Sequence, residues 1–216
     1  MRRSRGSEVA KELLGTRASG IVLTDRWSGY NWLPLERRQL CWAHLIRDFR
    51  KLTECGEPVA SLGECLLECA RKLFEWWYRV RDGTLKRSSF RTYVSGLRPR
   101  VRGYLEAAAA CTHRRAAALC RGILRFEPAM WTFVRVIGVE PTNNAAERAL
   151  RPVVLWRKSS YGSRSTVGHA FVERMLTVVA TLRQHGRNVL DFLHDACLAS
   201  IRRAASPPLI LAATPA

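Results

Sequence analysis

Apolar residues follow two different periods near the start of this chain. Gly20 to Asp25 is a short β-branched run that ends in an acid, which is typical of a buried strand, and Arg38 to Trp42 predicts a second short strand. Helical spacing predicts a short helix over Glu8 to Gly15 and another over Ala43 to Arg50. We therefore expect a small α/β pattern in the first fifty residues.

From about residue 58 to residue 136 the apolar positions follow the period of a helix almost throughout. One helix is predicted over Leu62 to Val80 and is ended by Asp82-Gly83. A second helix is predicted to start with Ser88 as its cap, with Pro99 as a breaker or kink. Glu127 to Val136 predicts a further amphipathic helix. This stretch should form a helical block within the size of a small domain.

A polar motif opens the last third of the chain at Pro141-Thr142, where Asn143 or Asn144 can cap a new helix. Asn144, Glu147 and Arg151 recur at three- and four-residue spacing, so they project from one face of that helix. The simple alternative is a capped surface helix with ordinary ion pairs.

The remainder of the chain also favours helices. Residues 151–161 are predicted to be a helix kinked at Pro152, with a short strand as the alternative. Amphipathic helices are expected over Ala170 to His185 and over Val189 to Arg203, followed by a loose tail from Ala205.

The composition of the chain indicates which class of binding partner to expect. The chain of 216 residues is 47% hydrophobic with seven Trp, which argues against disorder, and its net charge is +18. Of 36 basic residues only five are Lys. Arginine suits bidentate contacts to phosphate, so nucleic acid is the expected partner. A GC-rich genome would explain the ratio of Arg to Lys but not the size of the excess.

Seven Cys show no regular disulfide framework, which fits a reducing cytosol. The first twelve residues are basic and polar without the apolar segment of a signal peptide. No apolar run approaches the length of a membrane span. We expect an intracellular protein with no membrane partner.

Two acids distant in sequence, Asp25 at a strand end and Glu147 on a helix face, are candidate ligands for divalent metal. Mg²⁺ takes oxygen ligands and is held by one or two carboxylates together with water and substrate phosphates. Paired metals about 4 Å apart activate an attacking oxygen and stabilise a leaving one. Either acid alone is a weak signal, because a strand-end Asp is more often a turn residue or a helix cap.

Cys41 and His44 have the spacing of half a zinc site. Two more ligands would be needed, and the candidates are scattered at Cys55, Cys65, Cys69, Cys111 and His113. We therefore expect a structural role for this pair, with His44 near the active site, and no bound zinc.

Four cations follow or flank Glu147 and are candidates to clamp a DNA backbone: Arg148, Arg151, Arg157 and Lys158. Asn144 belongs to the same surface. Trp27, Tyr30 and Trp32 are candidates to stack on unpaired bases, although aromatic residues beside a buried strand often pack into a core instead.

Three motifs together resemble the transposases of the insertion sequence 66 group. The resemblance covers the chain from Ser7 to Arg203 and is carried by residues 24–30 (TDRWSGY), by Cys41-Trp42-Ala43-His44 with residues 47–49 (RDF), and by residues 143–152 (NNAAERALRP) with Arg157-Lys158.

The resemblance implies an α+β, mainly α protein: an RNase H-like core, interrupted by a helical insertion, that binds two Mg²⁺ or Mn²⁺ ions through three acids. Asp25 matches the second Asp of that triad and Glu147 the Glu. Such a bacterial enzyme cleaves transposon ends and joins them to target DNA, as a homo-oligomer or with other transposition proteins. The implied division is residues 1–50 (first part of the core), 51–138 (insertion), 139–204 (second part of the core) and 205–216 (tail).

One departure from the family pattern matters. No Asp precedes Asp25, and the only acids upstream are Glu8 and Glu12. The sequence therefore matches the C-terminal portion of such a transposase, an incomplete core for which we expect little or no independent activity. The alternatives are a catalytically inactive DNA-binding or regulatory fragment, and a basic helical nucleic-acid-binding protein with no metal site.

Overall fold

The computed structural model describes residues 6–15, 20–163 and 165–210. Within these ranges the chain is α+β and mainly α, as expected, with one small parallel sheet. The elements in chain order are α1 Ser7–Leu14, β1 Val22–Thr24, β2 Arg38–Leu40, α2 Trp42–Thr53, α3 Val59–Arg81, α4 Arg87–Ala109, α5 Arg114–Leu124, α6 Glu127–Met130, α7 Thr132–Arg135, α8 Asn144–Ser159, α9 Thr166–Gln184 and α10 Val189–Ile201.

The chain forms two compact units. The N-terminal unit is Arg2–Asn144 and the C-terminal unit is Ala145–Ala216. No helix in the described ranges is long and apolar enough to cross a membrane. The first five residues and residues 211–216, at the two predicted loose ends, lie outside the described ranges.

Both predicted strands are confirmed, each three residues long. They pair in parallel, with Val22 opposite Arg38 and Thr24 opposite Leu40. Every residue of β2 is buried, including the polar Arg38 and Gln39. Because the strands are parallel, their carboxyl ends lie at one edge of the sheet. That edge, called the carboxyl edge below, brings Asp25 and Cys41 next to each other.

The first helix confirms the predicted element but not all of its inward face. Ala10 is buried, whereas Leu13, which the helical spacing of Val9 and Leu13 predicts to face inward, is 72% exposed. In a helix of only eight residues, few positions can face a core at the same time.

The helical block is confirmed, with two corrections in α4. The break after α3 falls at Asp82 and Gly83, and Gly83 has a positive φ of 81°. Pro99 does not break α4, and Ser88 does not cap it, since the helix begins at Arg87 without a side-chain cap. Residues on both sides of Pro99 are buried on one face of this helix. Their burial outweighs the roughly 3 kcal/mol that an internal proline costs.

The single amphipathic helix expected over Glu127 to Val136 is wrong, because this stretch forms the two short helices α6 and α7. The Met130 carbonyl accepts hydrogen bonds from Gln39 Nε2 (3.0 Å) and Trp42 Nε1 (2.8 Å). In a continuous helix the same carbonyl would accept from the N–H of residue 134. The β2–α2 segment thus diverts this carbonyl and interrupts the helix.

A single hydrophobic core joins the sheet to the helical block. It contains Leu40 of β2, buried side chains of α2 to α5, and an aromatic cluster near α6 and α7. Trp42 packs against Trp131 with ring centroids 5.1 Å apart, and Trp77 packs against Phe133 at 5.3 Å. This core fixes β2, and with it the carboxyl edge, to the helices.

The C-terminal unit consists of α8, α9 and α10. Residues 151–159 are helical, so the helix interpretation is confirmed, and α8 runs through Pro152. Ser165 and Asn188 cap α9 and α10 by accepting backbone N–H groups. Arg187 donates to the carbonyls of Pro208 and Leu209 and so holds the start of the tail.

Candidate functional site

The carboxyl edge of the sheet is a polar site in the N-terminal unit. The Cys41 N–H donates to the Thr24 carbonyl (2.8 Å), so the ends of β1 and β2 are in register where Asp25 and Cys41 begin. In open α/β sheets, ligands bind beyond the carboxyl ends of parallel strands. The placement of Asp25 at such an end was predicted from its position after the β-branched run.

Asp25 is half-buried and its carboxylate turns back on the following loop. Its Oδ1 accepts the N–H of Trp27 (2.9 Å), which is an Asx turn. The next residue, Arg26, is ion-paired with the buried Asp48 of α2, and Asp48 also pairs with Lys51 at 2.8 Å. The loop cation nearest to Asp25 in sequence is therefore already neutralised by another acid.

Arg38 lies behind this edge and is 0% exposed. Its Nε donates to Thr24 Oγ1 (2.8 Å), its Nη2 to the Asp25 carbonyl (2.8 Å) and its Nη1 to the Tyr30 carbonyl (3.3 Å). Burial lowers the pKa of this guanidinium, and the negative charge of Asp25 acts in the opposite direction. Sequence reasoning missed Arg38, although a cation together with the polar Gln39 in a predicted buried strand was a visible signal.

The aromatic residues beside Asp25 differ in exposure. Trp27 is 37% exposed and contacts Tyr30 edge-to-face, with ring centroids 5.3 Å apart. Gly29 is buried beneath the indole, and a Cβ at this position would overlap the Trp27 ring. Tyr30 and Trp32 are half-buried. Trp27 therefore keeps an exposed ring, whereas the other two are largely packed.

The Cys-x-x-His motif meets the residues just before α8. The Asn143 N–H donates to Cys41 Sγ (3.5 Å), and the Trp42 N–H donates to the Pro141 carbonyl (2.9 Å). His44 is half-buried and its Nε2 lies 3.4 Å from Arg47 Nη2. The start of the polar motif is thus fastened to the carboxyl edge. Sequence reasoning marked both motifs but not this contact, because they lie about a hundred residues apart.

Asn143 does not act as the expected helix cap. Its Oδ1 is shielded from solvent and accepts no hydrogen bond within the described part of the chain. The alternative cap, Asn144, is the first residue of α8.

The scattered candidates for a zinc site have other surroundings. His113 Nδ1 accepts the Ala116 N–H and caps α5, and Cys111 Sγ donates to the His113 carbonyl. Burial raises the pKa of Cys69, and it raises that of Cys120 to about 11, so both stay as thiols. In the described ranges, no group of three or more His, Cys, Asp or Glu side chains could hold a metal ion.

Glu147 lies in the first turn of α8, within the C-terminal unit. The helix confirms that Asn144, Glu147 and Arg151 share one face, on which Lys158 also lies, with Arg148 at its side. Arg157 lies in the last turn. Glu147 and all four cations are exposed. Glu147 is the only acid of this helix, so its face is strongly basic around one carboxylate.

The fold and these two surfaces define a strongly basic α+β protein with an acid at the end of a parallel strand and a basic helix. The model of the Transposase IS66 family matches residues 1–170, and the chain belongs to that family. The family is one of transposases, enzymes that act on DNA.

Among individual proteins, the chain is 26% identical over 204 residues to the uncharacterized protein y4qI of Sinorhizobium fredii (strain NBRC 101917 / NGR234). The match covers 88% of this chain and 37% of that protein, so the chain spans little more than a third of the relative's length. No solved structure matches the chain.

Proposed function

We propose that this chain forms part of the catalytic core of a DNA transposase, in which Asp25 and Glu147 bind Mg²⁺ or Mn²⁺. The observation that carries the proposal is the convergence at the carboxyl edge. Asp25 follows β1 there, and the Cys-x-x-His motif after β2 is hydrogen-bonded to the residues that lead into the Glu147 helix. Membership of the transposase family supports the same chemistry.

The residues fit a hard divalent cation. Carboxylate oxygens are the ligands that Mg²⁺ and Mn²⁺ prefer, and both proposed ligands reach solvent. Bound ions would activate the attacking oxygen and stabilise the leaving oxygen of a phosphodiester. The Asx turn holds one oxygen of Asp25, and the Arg26–Asp48 pair keeps a neighbouring cation engaged elsewhere.

An RNase H-like core is the arrangement we infer around this pair. Residues 1–50 would supply the two parallel strands and residues 139–204 the Glu147 helix, with residues 51–138 as a helical insertion. The parallel pairing with an acid directly after β1 supports this division. The shared hydrophobic core means that the insertion would be rigidly attached to β2.

The DNA contacts we propose come from two surfaces. Arg151 and Lys158 share the face of Glu147 with Asn144, and Arg148 lies at its side. Together with Arg157 in the last turn of α8, these residues would bind the backbone near the scissile phosphate. The exposed ring of Trp27, supported by Tyr30, would stack on an unpaired base at a transposon end. These contacts give position and affinity rather than sequence specificity.

The test is a strand-nicking and strand-transfer assay with the purified chain, plasmid DNA carrying the element's ends, and Mn²⁺. We expect the chain to bind DNA, and we expect any nicking to be weak and to disappear in Glu147→Gln and Asp25→Asn. An Arg102→Ala variant, which removes the exposed pair with Glu106 and changes neither candidate ligand, serves as the control and should behave as wild type. Nicking that persists in both acid variants would contradict the proposal.

A second candidate is a DNA-binding or regulatory fragment without chemistry. The observation that favours it is that the exposed cations of α8 need no metal to bind DNA. Binding that is unchanged by Glu147→Gln, with no nicking under any condition, would select this function. Under either proposal the nucleic-acid partner is transposon or target DNA, and the protein partner is a second copy of this chain or another transposition protein. The protein would act in the bacterial cytoplasm, and at the nucleoid when it is bound to DNA.

A further inference from the structure

Arg38 is a buried cation whose hydrogen bonds go to neutral oxygens. It donates to one hydroxyl and two main-chain carbonyls, and its guanidinium lies over the Phe126 ring, 4.7 Å from the centroid. A buried charge is costly unless its surroundings compensate for it. A neutral side chain would fill the inner face of β2 at lower cost, so the presence of arginine here calls for a further role.

The three hydrogen bonds of Arg38 converge on the loop that carries Asp25. The Asp25 carbonyl accepts from Arg38 Nη2 and also from Thr24 Oγ1, both at 2.8 Å. The Thr24 hydroxyl in turn accepts from Arg38 Nε. Nη1 holds the Tyr30 carbonyl, so both ends of the loop from Asp25 to Tyr30 are fastened to one side chain.

We propose that Arg38 is a positioning residue for Asp25, a role that rests on the metal-binding function proposed above. Holding the Asp25 carbonyl toward the interior leaves the carboxylate at the carboxyl edge, where Oδ1 accepts the Trp27 N–H. The same side chain fixes the carbonyl of Tyr30, the residue whose ring contacts Trp27. One buried guanidinium thereby sets both the candidate metal ligand and the aromatic residue beside it.

The geometry requires the forked guanidinium and not merely a positive charge. The donors Nε, Nη1 and Nη2 point in three fixed directions within one plane, and the plane also packs on Phe126. A lysine ammonium cannot make this set of contacts from the same position. Arg38→Lys should therefore behave like Arg38→Met, which a role based on charge alone would not produce.

The chain offers a matched control in Arg87 of α4. Its guanidinium also donates to two main-chain carbonyls, those of Phe133 and Val136, and lies over an aromatic ring, that of Trp77 at 5.7 Å. The contacts of Arg87 involve no residue of the Asp25 loop. Replacing it should perturb stability in the same manner without affecting the proposed ligand.

The experiment measures Mn²⁺ binding to the full chain by the electron paramagnetic resonance signal of free Mn²⁺, together with thermal unfolding. We expect Arg38→Lys and Arg38→Met to weaken Mn²⁺ binding by about 10- to 100-fold, the range found when outer-shell partners of metal ligands are changed. The variants Arg87→Lys and Arg87→Met should lower the unfolding temperature and leave Mn²⁺ affinity as in wild type.

Asp25→Asn separates the two proposals. If it loses Mn²⁺ binding while both Arg38 variants bind as wild type does, the role of Arg38 is overturned and the metal-binding function stands. If Asp25→Asn has no effect, or the wild type binds no Mn²⁺, both are overturned.

Should the Arg38 variants fail to fold, the nearly isosteric Thr24→Val removes one hydrogen bond of the same network. It is expected to weaken Mn²⁺ binding several-fold, and unchanged affinity would overturn the proposal.

Discussion

Gly29 determines where the Trp27 ring lies, because it has no side chain in the space that the indole occupies. Because Gly29 has no Cβ, the Trp27 indole lies directly over the backbone, where Tyr30 packs against its ring. The Asx turn to Asp25 fixes the Trp27 backbone as well. The ring is thus held in one orientation beside the candidate metal ligand and still presents an exposed surface.

Trp27→Ala should weaken binding to DNA with an unpaired end, by about 1–3 kcal/mol if one base stacks on the ring. Trp27→Phe should retain most of the affinity, and Gly29→Ala should resemble Trp27→Ala because the added methyl group displaces the indole. Fluorescence anisotropy with fully paired and end-unpaired duplexes measures the difference. The exposed Tyr78 of α3 provides a control through Tyr78→Ala. Equal binding of both duplexes by wild type and Trp27→Ala would refute the stacking role.

At the residue scale, the sequence revealed the site residues whose evidence was local. Asp25 follows a β-branched run, so its position after a buried strand could be predicted. Arg38 could not be assigned in the same way, since the contacts that explain its burial come from Tyr30 and from Phe126, which is 88 positions away. The metal-binding role of Asp25 and Glu147 stays a prediction.

At the element scale, helical periodicity correctly predicted most of the helices, because apolar positions must face a core wherever a helix packs. It failed at α6 and α7, where the interruption comes from Gln39 and Trp42, about ninety residues upstream. The break expected at Pro99 came from the proline itself, and burial on both sides of it keeps α4 continuous. Local patterns predict which segments are helical, but distant side chains decide where some of them end.

The contact between α4 and α6 gives a stability prediction. Glu127 accepts two hydrogen bonds from Arg98, both 2.7 Å, and one from Trp131 Nε1, also 2.7 Å. Glu127→Gln should lower the free energy of unfolding by about 1–3 kcal/mol, as expected when charge-assisted bonds of a buried group are lost. Urea unfolding measures this change. Glu106→Gln, which breaks the exposed pair with Arg102, should cost much less than Glu127→Gln, because solvent screens an exposed pair.

The stability that the contact between Glu127 and Arg98 contributes should depend on pH. Burial raises the pKa of Glu127, but the hydrogen bonds and charge of Arg98 outweigh it and hold the pKa below the ordinary value of 4.5. A lowered folded pKa contributes stability that is present above the unfolded value and is lost as pH falls through the folded pKa. The difference in unfolding free energy between wild type and Glu127→Gln should therefore shrink in that acidic range. A difference that grows with acidity would contradict this assignment.

At the scale of the whole molecule, the positive charge belongs to both units. Residues 1–144 contain 26 basic and 14 acidic residues, and residues 145–216 contain 10 and 4. Each unit can therefore attract a polyanion by itself. An excess spread in this way suits binding along DNA and gives no preference for one sequence.

The central proposal is that Asp25 and Glu147 both bind the catalytic metal. The most direct test is a double-mutant cycle of Mn²⁺ affinity with Asp25→Asn, Glu147→Gln and the double variant, each measured on the full chain without DNA. Shared ligands predict that either substitution weakens binding by about tenfold or more, and that the double variant is little worse than either single one. Independent, additive effects, or affinity unchanged by Glu147→Gln, would contradict the claim.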